Sequence, residues 1–258
     1  MELSKNTILI TGGTSGFGLE FAARFIELGN TVIITGRNAR KLEETKQVLP
    51  GVHTIQSDVT KIEDIAALYS EVKERFPELN ILINNAGEMR KIILHDAYAP
   101  EEITREVEVN LMGPIRMVQT FLPLLKKQRS AAIMNVTSGI AMMPFPIAPI
   151  YGATKSGLRS YTQSLRVQLK KTNIEVFELA APGSSTPLND KFRGDEGFDP
   201  KRVMPPAEIV NKAIEGLKKD TFEILPGFSK IIYFMSRLAP KFILSQASKV
   251  GAAAMSGT

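Results

Sequence analysis

Short apolar runs rich in β-branched residues recur along the chain. Six are present, at residues 7–11, 31–35, 52–56, 81–84, 131–136 and 174–179. They lack the alternation of polar and apolar residues that marks a half-exposed strand, which indicates strands buried on both faces of a parallel sheet. The sequence therefore predicts an α/β fold built on a doubly wound parallel sheet.

The segments between these runs have helical length and carry apolar residues at helical spacing. They include residues 17–28, 63–76, 101–125, 151–170 and 207–217. No linker or compositional shift marks a second domain, so we expect residues 1–258 to form a single-domain Rossmann fold. Two segments depart from this alternation of strands and helices. Residues 184–206, rich in Pro, Gly and charge, predict a substrate flap, and residues 228–246 predict a C-terminal amphipathic helix.

Composition argues against several classes of function. The chain has no cysteine, which excludes thiolate nucleophiles, disulfides and cysteine-based metal sites. His53 and His95 have neither a paired carboxylate nor helical spacing, so we expect no metal site and no Ser/His nucleophile. The net charge of +5 comes from scattered Lys and Arg, which argues against nucleic-acid binding. The first residues resemble no secretion signal, so we expect a cytoplasmic protein without a transmembrane segment.

A glycine-rich turn follows the first predicted strand, where a helix begins. Such a turn lets the backbone approach a pyrophosphate, whose charge is met by backbone N–H groups and the helix dipole. A purely structural strand-to-helix turn is the alternative. The candidate phosphate-binding residues are Gly12, Thr14, Ser15, Gly16, Phe17 and Gly18.

The spacing of this turn, T-G-x-x-x-G-x-G, resembles that of the short-chain dehydrogenase/reductase family. The motif Asn84-Asn85-Ala86-Gly87 and the separations of Ser138, Tyr151 and Lys155 strengthen the resemblance, which spans residues 11–186. It implies an oxidoreductase that moves a hydride between a nicotinamide and a carbonyl or secondary alcohol carbon. It also implies a homodimer or homotetramer.

The end of the second strand indicates which nicotinamide cofactor is used. An acidic residue there binds the ribose hydroxyls of NAD and repels a 2'-phosphate. This chain has Arg37, and a guanidinium is a good partner for phosphate, so the sequence predicts NADP(H) over NAD(H). Asn38 and Arg40 are candidate helpers, and a merely solvated Arg37 is the alternative.

The family resemblance implies further cofactor contacts. Asp58, followed by Val59, would accept a hydrogen bond from the adenine amino group; a helix cap is the alternative for Asp58. Contacts to the ribose and the nicotinamide are implied for Asn85, Ala86, Gly87, Tyr151, Lys155, Pro182, Gly183 and Thr186.

Four residues are predicted to carry the chemistry. Tyr151 and Lys155 are four apart in a helical segment, so they share one face. A nearby ammonium and an oxidised nicotinamide favour the phenolate, which makes Tyr151 an acid in reduction and a base in oxidation. Ser138 closes a strand and can bind the substrate oxygen. By resemblance, Asn110 holds a water that relays protons to the lysine, with a satisfied buried amide as the alternative.

The substrate is less constrained. Residues 139–150, with Met142, Met143 and Phe145, predict an apolar wall beside Ser138 and hence an apolar substrate, although ordinary core packing is an alternative. The sequence Glu88-Met89-Arg90 departs from the family pattern and leaves the polarity near the nicotinamide open. A silent NADPH sensor or scaffold on the same fold is the alternative function, and intact Ser138, Tyr151 and Lys155 argue against it.

The C-terminal segment carries one apolar stripe together with basic residues. The stripe has three interpretations: a cover for the substrate pocket, a contact with a second subunit, or a membrane-surface helix. The first two are favoured because short basic amphipathic helices are common on soluble enzymes. Residues 236–242 also resemble a group of bacterial short-chain oxidoreductases. The stripe consists of Ile231, Met235, Leu238 and Phe242, and the charges are Lys230, Arg237 and Lys241.

Overall fold

A computed structural model describes residues 2–192, 194 and 203–256. Within this part of the chain the strands are β1 (Thr7–Thr11), β2 (Thr31–Gly36), β3 (His53–Gln56), β4 (Leu79–Asn84), β5 (Ala131–Ser138), β6 (Ile174–Ala181) and β7 (Glu223–Ile224). They form one parallel sheet in the order β3-β2-β1-β4-β5-β6-β7. The order reverses between β1 and β4, so the predicted doubly wound α/β fold is confirmed.

Helices cover both faces of the sheet. The longer ones are α1 (Gly16–Glu27), α2 (Ala39–Val48), α3 (Ile62–Arg75), α6 (Gly113–Leu125), α7 (Pro149–Leu169), α9 (Pro206–Lys218), α10 (Phe228–Leu238) and α11 (Pro240–Ala247). The short ones are α4 (Pro100–Ile103), α5 (Arg105–Val107), α8 (Pro187–Asp190) and α12 (Ala252–Met255). One apolar core lies between the sheet and α1, α2 and α9; another lies between the sheet and α3, α6 and α7.

The sheet brings distant parts of the chain together at one edge. Because the strands are parallel, the residues that follow β1, β4, β5 and β6 all emerge at their carboxyl ends. Open α/β sheets bind ligands at this edge, in the crevice where the strand order reverses.

The predicted helix at residues 101–125 is interrupted. The structure has α4, α5 and a π-helical turn at Glu108–Met112 before α6 begins. In a regular α-helix the carbonyl of Asn110 would accept a hydrogen bond from residue 114, which is Pro114 and has no N–H. The proline therefore favours the irregular turn around Asn110.

The prediction of one helix at residues 228–246 is also wrong. The helix α10 ends at Leu238, and α11 begins after Ala239, which has φ −141° and ψ 60°. Pro240 cannot donate the next helical hydrogen bond, and its ring excludes the helical conformation for the residue before it. The two-residue strand β7 was not predicted, because it is too short to leave a pattern in the sequence.

The predicted flap at residues 184–206 is only partly described, since residues 193 and 195–202 lie outside the described part of the chain. At its base, Ser184 Oγ donates to the Met204 carbonyl at 2.7 Å, and the Met204 N–H donates to the Gly183 carbonyl at 2.9 Å. The two ends of the segment are therefore joined to each other beside β6.

Candidate active site

A cavity of about 450 Å³ opens at the carboxyl edge of the sheet, between the turn after β1 and the segments after β4, β5 and β6. Every predicted cofactor residue except Gly18 lines it, and so do Ser138, Tyr151 and Lys155. The predicted residues in its wall are Gly12, Thr14, Ser15, Gly16, Phe17, Arg37, Asp58, Val59, Asn85, Ala86, Gly87, Ser138, Tyr151, Lys155, Pro182, Gly183 and Thr186.

Gly18 lies beneath the cavity and allows the turn to close. A Cβ on Gly18 would lie 2.3 Å from the Gly12 carbonyl oxygen and 2.6 Å from Asn85 Nδ2. Gly12 has φ +67°, and a Cβ there would lie 2.8 Å from Ala86 Cα. Both positions therefore require glycine, because no side chain fits between the turn and the end of β4.

Hydrogen bonds join this turn to the segment after β4. Thr11 Oγ1 accepts from the backbone N–H groups of Asn85 and Ala86, each at 3.0 Å. Asn85 Nδ2 donates to the carbonyls of Thr11 and Gly12, at 3.0 and 3.1 Å. The Asn85 side chain thus holds the glycine turn in place, a role that the sequence motif did not reveal.

Cationic side chains lie at the end of the cavity near β2. Arg37 and Lys41 are exposed and line it, together with Asn38. Asn38 Oδ1 accepts from the Lys41 N–H at 3.1 Å and caps α2. The candidate helper Arg40 instead pairs with Glu44 at 2.8 Å, outside the cavity wall. Lys41 was missed because only the orientation of α2 places it here.

The Asp58 side chain accepts hydrogen bonds from a neighbouring residue and also lines the cavity. Its Oδ1 accepts from the Thr60 N–H at 3.0 Å and from the Thr60 hydroxyl at 2.8 Å. This is a turn before α3 and not the helix cap that was the alternative for Asp58, because Lys61 is the N-cap residue of α3 and no side chain caps that helix. The same side chain still borders the cavity.

Two hydroxyls in the wall have no hydrogen-bond partner within the described chain. They are Thr35 Oγ1 and Ser57 Oγ, both buried and both close in sequence to Arg37 or Asp58. Buried polar atoms are normally paired, so unpaired ones in a cavity wall indicate a place for a polar ligand. Together with the cations at this end, they fit the sugar and phosphate groups of a nucleotide.

Tyr151 is buried at the opposite end of the cavity. Burial raises the pKa of Tyr151 to about 12, while a hydrogen bond with Ser138 acts in the opposite direction and the nearby Glu106 carboxylate adds to the rise. The sequence predicted that Lys155 would acidify this phenol. In the protein itself desolvation dominates, because a buried phenolate loses its hydration, and the lowering of the pKa comes from Ser138 and not from Lys155.

Lys155 is also buried, one helical turn from Tyr151. Its Nζ lies 5.7 Å from the centre of the Tyr151 ring and donates to the Val136 carbonyl at 2.8 Å. Burial lowers the pKa of Lys155 to about 8, because the protein interior disfavours an ammonium ion. Ser138 is held by β5, where its hydroxyl donates to the Ala181 carbonyl at 3.4 Å and accepts from the Ile140 N–H at 3.3 Å.

Asn110 does not line the cavity. It is fully buried in the π-helical turn, and its Oδ1 accepts from the Glu88 N–H at 2.8 Å. Its Nδ2 donates to the Glu88 carbonyl at 2.7 Å and to Thr154 Oγ1 at 3.2 Å. The side chain therefore matches the alternative of a satisfied buried amide.

The unusual sequence Glu88-Met89-Arg90 carries paired charges. Glu88 forms a short ion pair with Arg105, and Arg90 Nε lies 3.4 Å from Oε2 of the fully buried Glu106. Burial raises the pKa of Glu106, although hydrogen bonding and charge from Arg90 oppose the rise. Met89 is buried against Tyr151 in a small apolar cluster. Near Tyr151 the protein thus has an apolar contact from Met89, and the charges of Glu88 and Arg90 are each paired with an opposite charge.

The predicted apolar wall is divided between two places. Met142 and Met143 line a second, more open cavity of about 470 Å³, whereas Ile140 lines the first. Phe145 packs against Phe192, with ring centres 6.4 Å apart, in the same cluster as Tyr151.

Sequence comparison identifies the family. The model of the short chain dehydrogenase family matches residues 6–197. The chain belongs to the short-chain dehydrogenase family. It is similar to the uncharacterized oxidoreductase DltE of Bacillus subtilis, with 43% identity over 227 residues, which cover 87% of this chain and 89% of the relative. The resemblance of residues 236–242 to bacterial short-chain oxidoreductases is consistent with this relationship.

Solved members of the family share the fold. A short chain dehydrogenase from Burkholderia cenocepacia in complex with NADP superposes with a TM-score of 0.82 at 23% identity, over 96% of this chain and 99% of that one. The 3-ketoacyl-(acyl-carrier-protein) reductase of Brucella melitensis, complexed with NADH, gives a TM-score of 0.76 at 30% identity, over 83% and 91%. The described residues contain no helix long and apolar enough to cross a membrane and no metal-binding cluster of three or more His, Asp or Glu.

Proposed function

We propose that this protein is an NADP-dependent reductase or dehydrogenase of carbonyl and secondary alcohol groups, with Tyr151 as the general acid and base. One observation carries the proposal: Ser138, Tyr151 and Lys155 share a single cavity with the glycine turn after β1. Family members of known structure were crystallised with NADP or with NADH, which supports a nicotinamide cofactor here.

The preference for NADP rests on the cations beside β2. Arg37 and Lys41 border the cavity where the adenosine ribose of a dinucleotide would lie, and no acidic side chain occupies the position after β2. A guanidinium offers a 2'-phosphate two parallel hydrogen bonds, and an ammonium adds a second charge. The unpaired hydroxyls of Thr35 and Ser57 lie at the same end.

The residues around Tyr151 supply the proton chemistry. When bound, the nicotinamide supplies or accepts the hydride. In reduction, the Tyr151 hydroxyl donates its proton to the carbonyl oxygen, while the Ser138 hydroxyl donates a hydrogen bond to the same oxygen. Burial raises the pKa of Tyr151, so this phenol is protonated near neutrality, the form that donates a proton in reduction. The Lys155 ammonium stabilises the phenolate that remains, and Asn110 holds the adjoining backbone.

The proposal also covers the class of substrate, the cellular location and the oligomeric state. Met89, Ile140 and Leu188 line the cavity, so we propose a carbonyl or alcohol with an apolar substituent. We further propose a cytoplasmic homo-oligomer that binds no nucleic acid. A silent NADPH sensor or scaffold stays the second candidate, and the retained Ser138, Tyr151 and Lys155 favour the enzyme.

A tyrosine substitution tests the proposed role directly. We expect Tyr151→Phe to keep the affinity for NADPH, measured by nucleotide fluorescence, and to lower kcat on carbonyl compounds by at least about 100-fold. The panel comprises aldehydes, ketones, quinones and secondary alcohols, followed by nicotinamide absorbance with both cofactors. The matched control is Tyr161→Phe in the same helix, since Tyr161 packs outside the cavity. Full turnover by Tyr151→Phe contradicts the role of Tyr151, and tight NADPH binding by a wild type that turns over nothing favours the sensor.

A further inference from the structure

The helices α10 and α11 leave a concentrated apolar surface exposed. Ile231, Phe234 and Leu238 recur at intervals of three and four residues along α10, with exposed fractions of 52%, 52% and 80%. On α11, Phe242 and Leu244 are 55% and 41% exposed and lie on either side of the buried Ile243. These five residues form what we call the C-terminal face. The other exposed large apolar side chains within the described chain are scattered from Leu28 to Phe222, so this concentration calls for a partner.

The charged residues of α10, α11 and the turn that follows them all have one sign. Lys230, Arg237, Lys241 and Lys249 are all exposed, and the sequence contains no Asp or Glu after Glu223. Arg237 is held at the surface, since its guanidinium lies 3.9 Å from the centre of the Tyr233 ring and donates to the Tyr233 carbonyl at 2.9 Å. The partner must therefore bury apolar side chains and at the same time present negative charge.

The C-terminal face belongs to helices fixed to the body of the protein. A Cβ placed on Gly139, the residue after Ser138, would lie 2.7 Å from Ser229 Oγ and 3.3 Å from Ile232 Cδ1. The inner side of α10 is thus in close contact with the segment that carries Ser138. The outer side is not a cover for the described cavity, because no residue of α10 or α11 lines it.

We propose that the C-terminal face docks this protein on the surface of a bilayer that contains anionic phospholipids. Short helices with an apolar face and a basic rim lie in the plane of the membrane interface, with Phe and Leu side chains among the acyl chains. Each Lys or Arg near an anionic surface adds about 1 kcal/mol of attraction. A second copy fits less well, since a two-fold contact through this face would set the same cations against one another.

Vesicle flotation tests the proposal on the full chain. The probes are vesicles of phosphatidylcholine alone and vesicles of equal parts phosphatidylcholine and phosphatidylglycerol. We expect binding to the anionic vesicles to be about 100-fold tighter, since Lys230, Arg237 and Lys241 on α10 and α11 each add to the attraction. We expect Lys230→Glu/Lys241→Glu to abolish that preference, and Leu238→Ser/Phe242→Ser to weaken binding to the same vesicles at least about ten-fold through lost apolar contact.

A charge-matched control separates the face from the net charge of the protein. Lys126 and Lys127 are exposed at the end of α6, and Lys126→Glu/Lys127→Glu changes the net charge by the same amount. We expect this control to bind anionic vesicles as wild type does, and all variants to keep the thermal unfolding midpoint. Equal loss of binding in the control, or no preference of wild type for anionic vesicles, overturns the proposal. It is also overturned if light scattering shows an oligomer that only Leu238→Ser/Phe242→Ser dissociates, because a second copy then covers the face.

Discussion

Lys155 Nζ donates a hydrogen bond to the Val136 carbonyl at 2.8 Å, which ties the middle of α7 to the strand that ends at Ser138. Val136 lies two residues before Ser138, and Tyr151 lies one turn before Lys155 on the same helix. The bond therefore fixes the separation between the serine hydroxyl and the phenol. It is made by an ammonium that burial renders more acidic than an ordinary lysine.

The buried lysine predicts a pH-dependent stability. The pKa of Lys155 is about 8 in the folded protein, below the ordinary lysine value of 10.5, so between these two pH values the unfolded chain binds more protons. The free energy of unfolding should therefore rise with pH in this window, by about 2 kcal/mol from Lys155 alone between about pH 8 and pH 10. Tyr151, whose pKa is raised from 10 to about 12, acts oppositely only above pH 10.

Urea denaturation of wild type and Lys155→Met at several pH values checks this. We expect the difference in unfolding free energy between the two proteins to shift in favour of wild type as the pH rises. Identical pH slopes for the two proteins would show that Lys155 has an ordinary pKa.

Arginine substitutions test the cofactor preference. We expect Arg37→Ala to raise the KM for NADPH by about ten-fold, because a charge-assisted hydrogen bond is worth about 1.5 kcal/mol or more, and to leave the KM for NADH nearly unchanged. Arg40→Ala is the matched control, since Arg40 pairs with Glu44 and lies outside the cavity wall. If NADH is the better substrate for wild type, or if both variants behave alike, Arg37 does not select the cofactor.

A pair of glycine substitutions tests the close contact beneath the turn. We expect Gly18→Ala to lower the unfolding free energy by about 2 kcal/mol and to weaken nucleotide binding, because the new methyl would overlap the Gly12 carbonyl. Gly152→Ala, in the first turn of α7, would place its Cβ 3.6 Å from Ile140 Cγ2, an ordinary contact. That control should be neutral or stabilising by up to about 1 kcal/mol. Chemical denaturation and NADPH titration give both quantities.

The buried ion pair between Arg159 of α7 and Glu178 of β6 should contribute more to the unfolding free energy than an exposed pair does. Glu178 is fully buried, and it accepts from Arg159 at 2.5 Å and from the Thr137 hydroxyl at 2.6 Å. We expect Glu178→Gln to cost about 3 kcal/mol of unfolding free energy, since it leaves the arginine without its main counter-charge. Glu44→Gln, which breaks the exposed pair with Arg40, should cost less than about 1 kcal/mol. Equal costs in urea denaturation would show that the buried pair contributes no more to stability than the exposed pair.

Much of the fold could be predicted because its signals are local. The apolar runs predict the buried parallel strands β1 to β6 with their ends correct to within a few residues. The glycine turn predicts the start of α1. The break between α10 and α11 also had a local signal, Pro240, but an apolar stripe running through it gave the false impression of one helix. The strand β7 exists only because β6 offers it a partner.

The candidate site was predictable in its residue types and order, since Tyr151 and Lys155 share a helix face whatever surrounds them. Lys41 could not be predicted, because its place in the cavity wall depends on how α2 packs. The same holds for Met142 and Met143, which line another cavity, and for Asn110, whose amide is taken up by Glu88 and Thr154.

What the sequence by itself determined is therefore the succession of strands and helices and the side chains available at their ends. Hydrogen bonding along the backbone and hydrophobic periodicity act over a few residues, so they can be read directly from the chain. Only the tertiary structure decided which of those side chains meet, how deeply Tyr151 and Lys155 are buried, and that the C-terminal stripe stays exposed. Burial and charge depend on contacts between residues far apart in the chain, and these arise only when the sheet and its helices pack together.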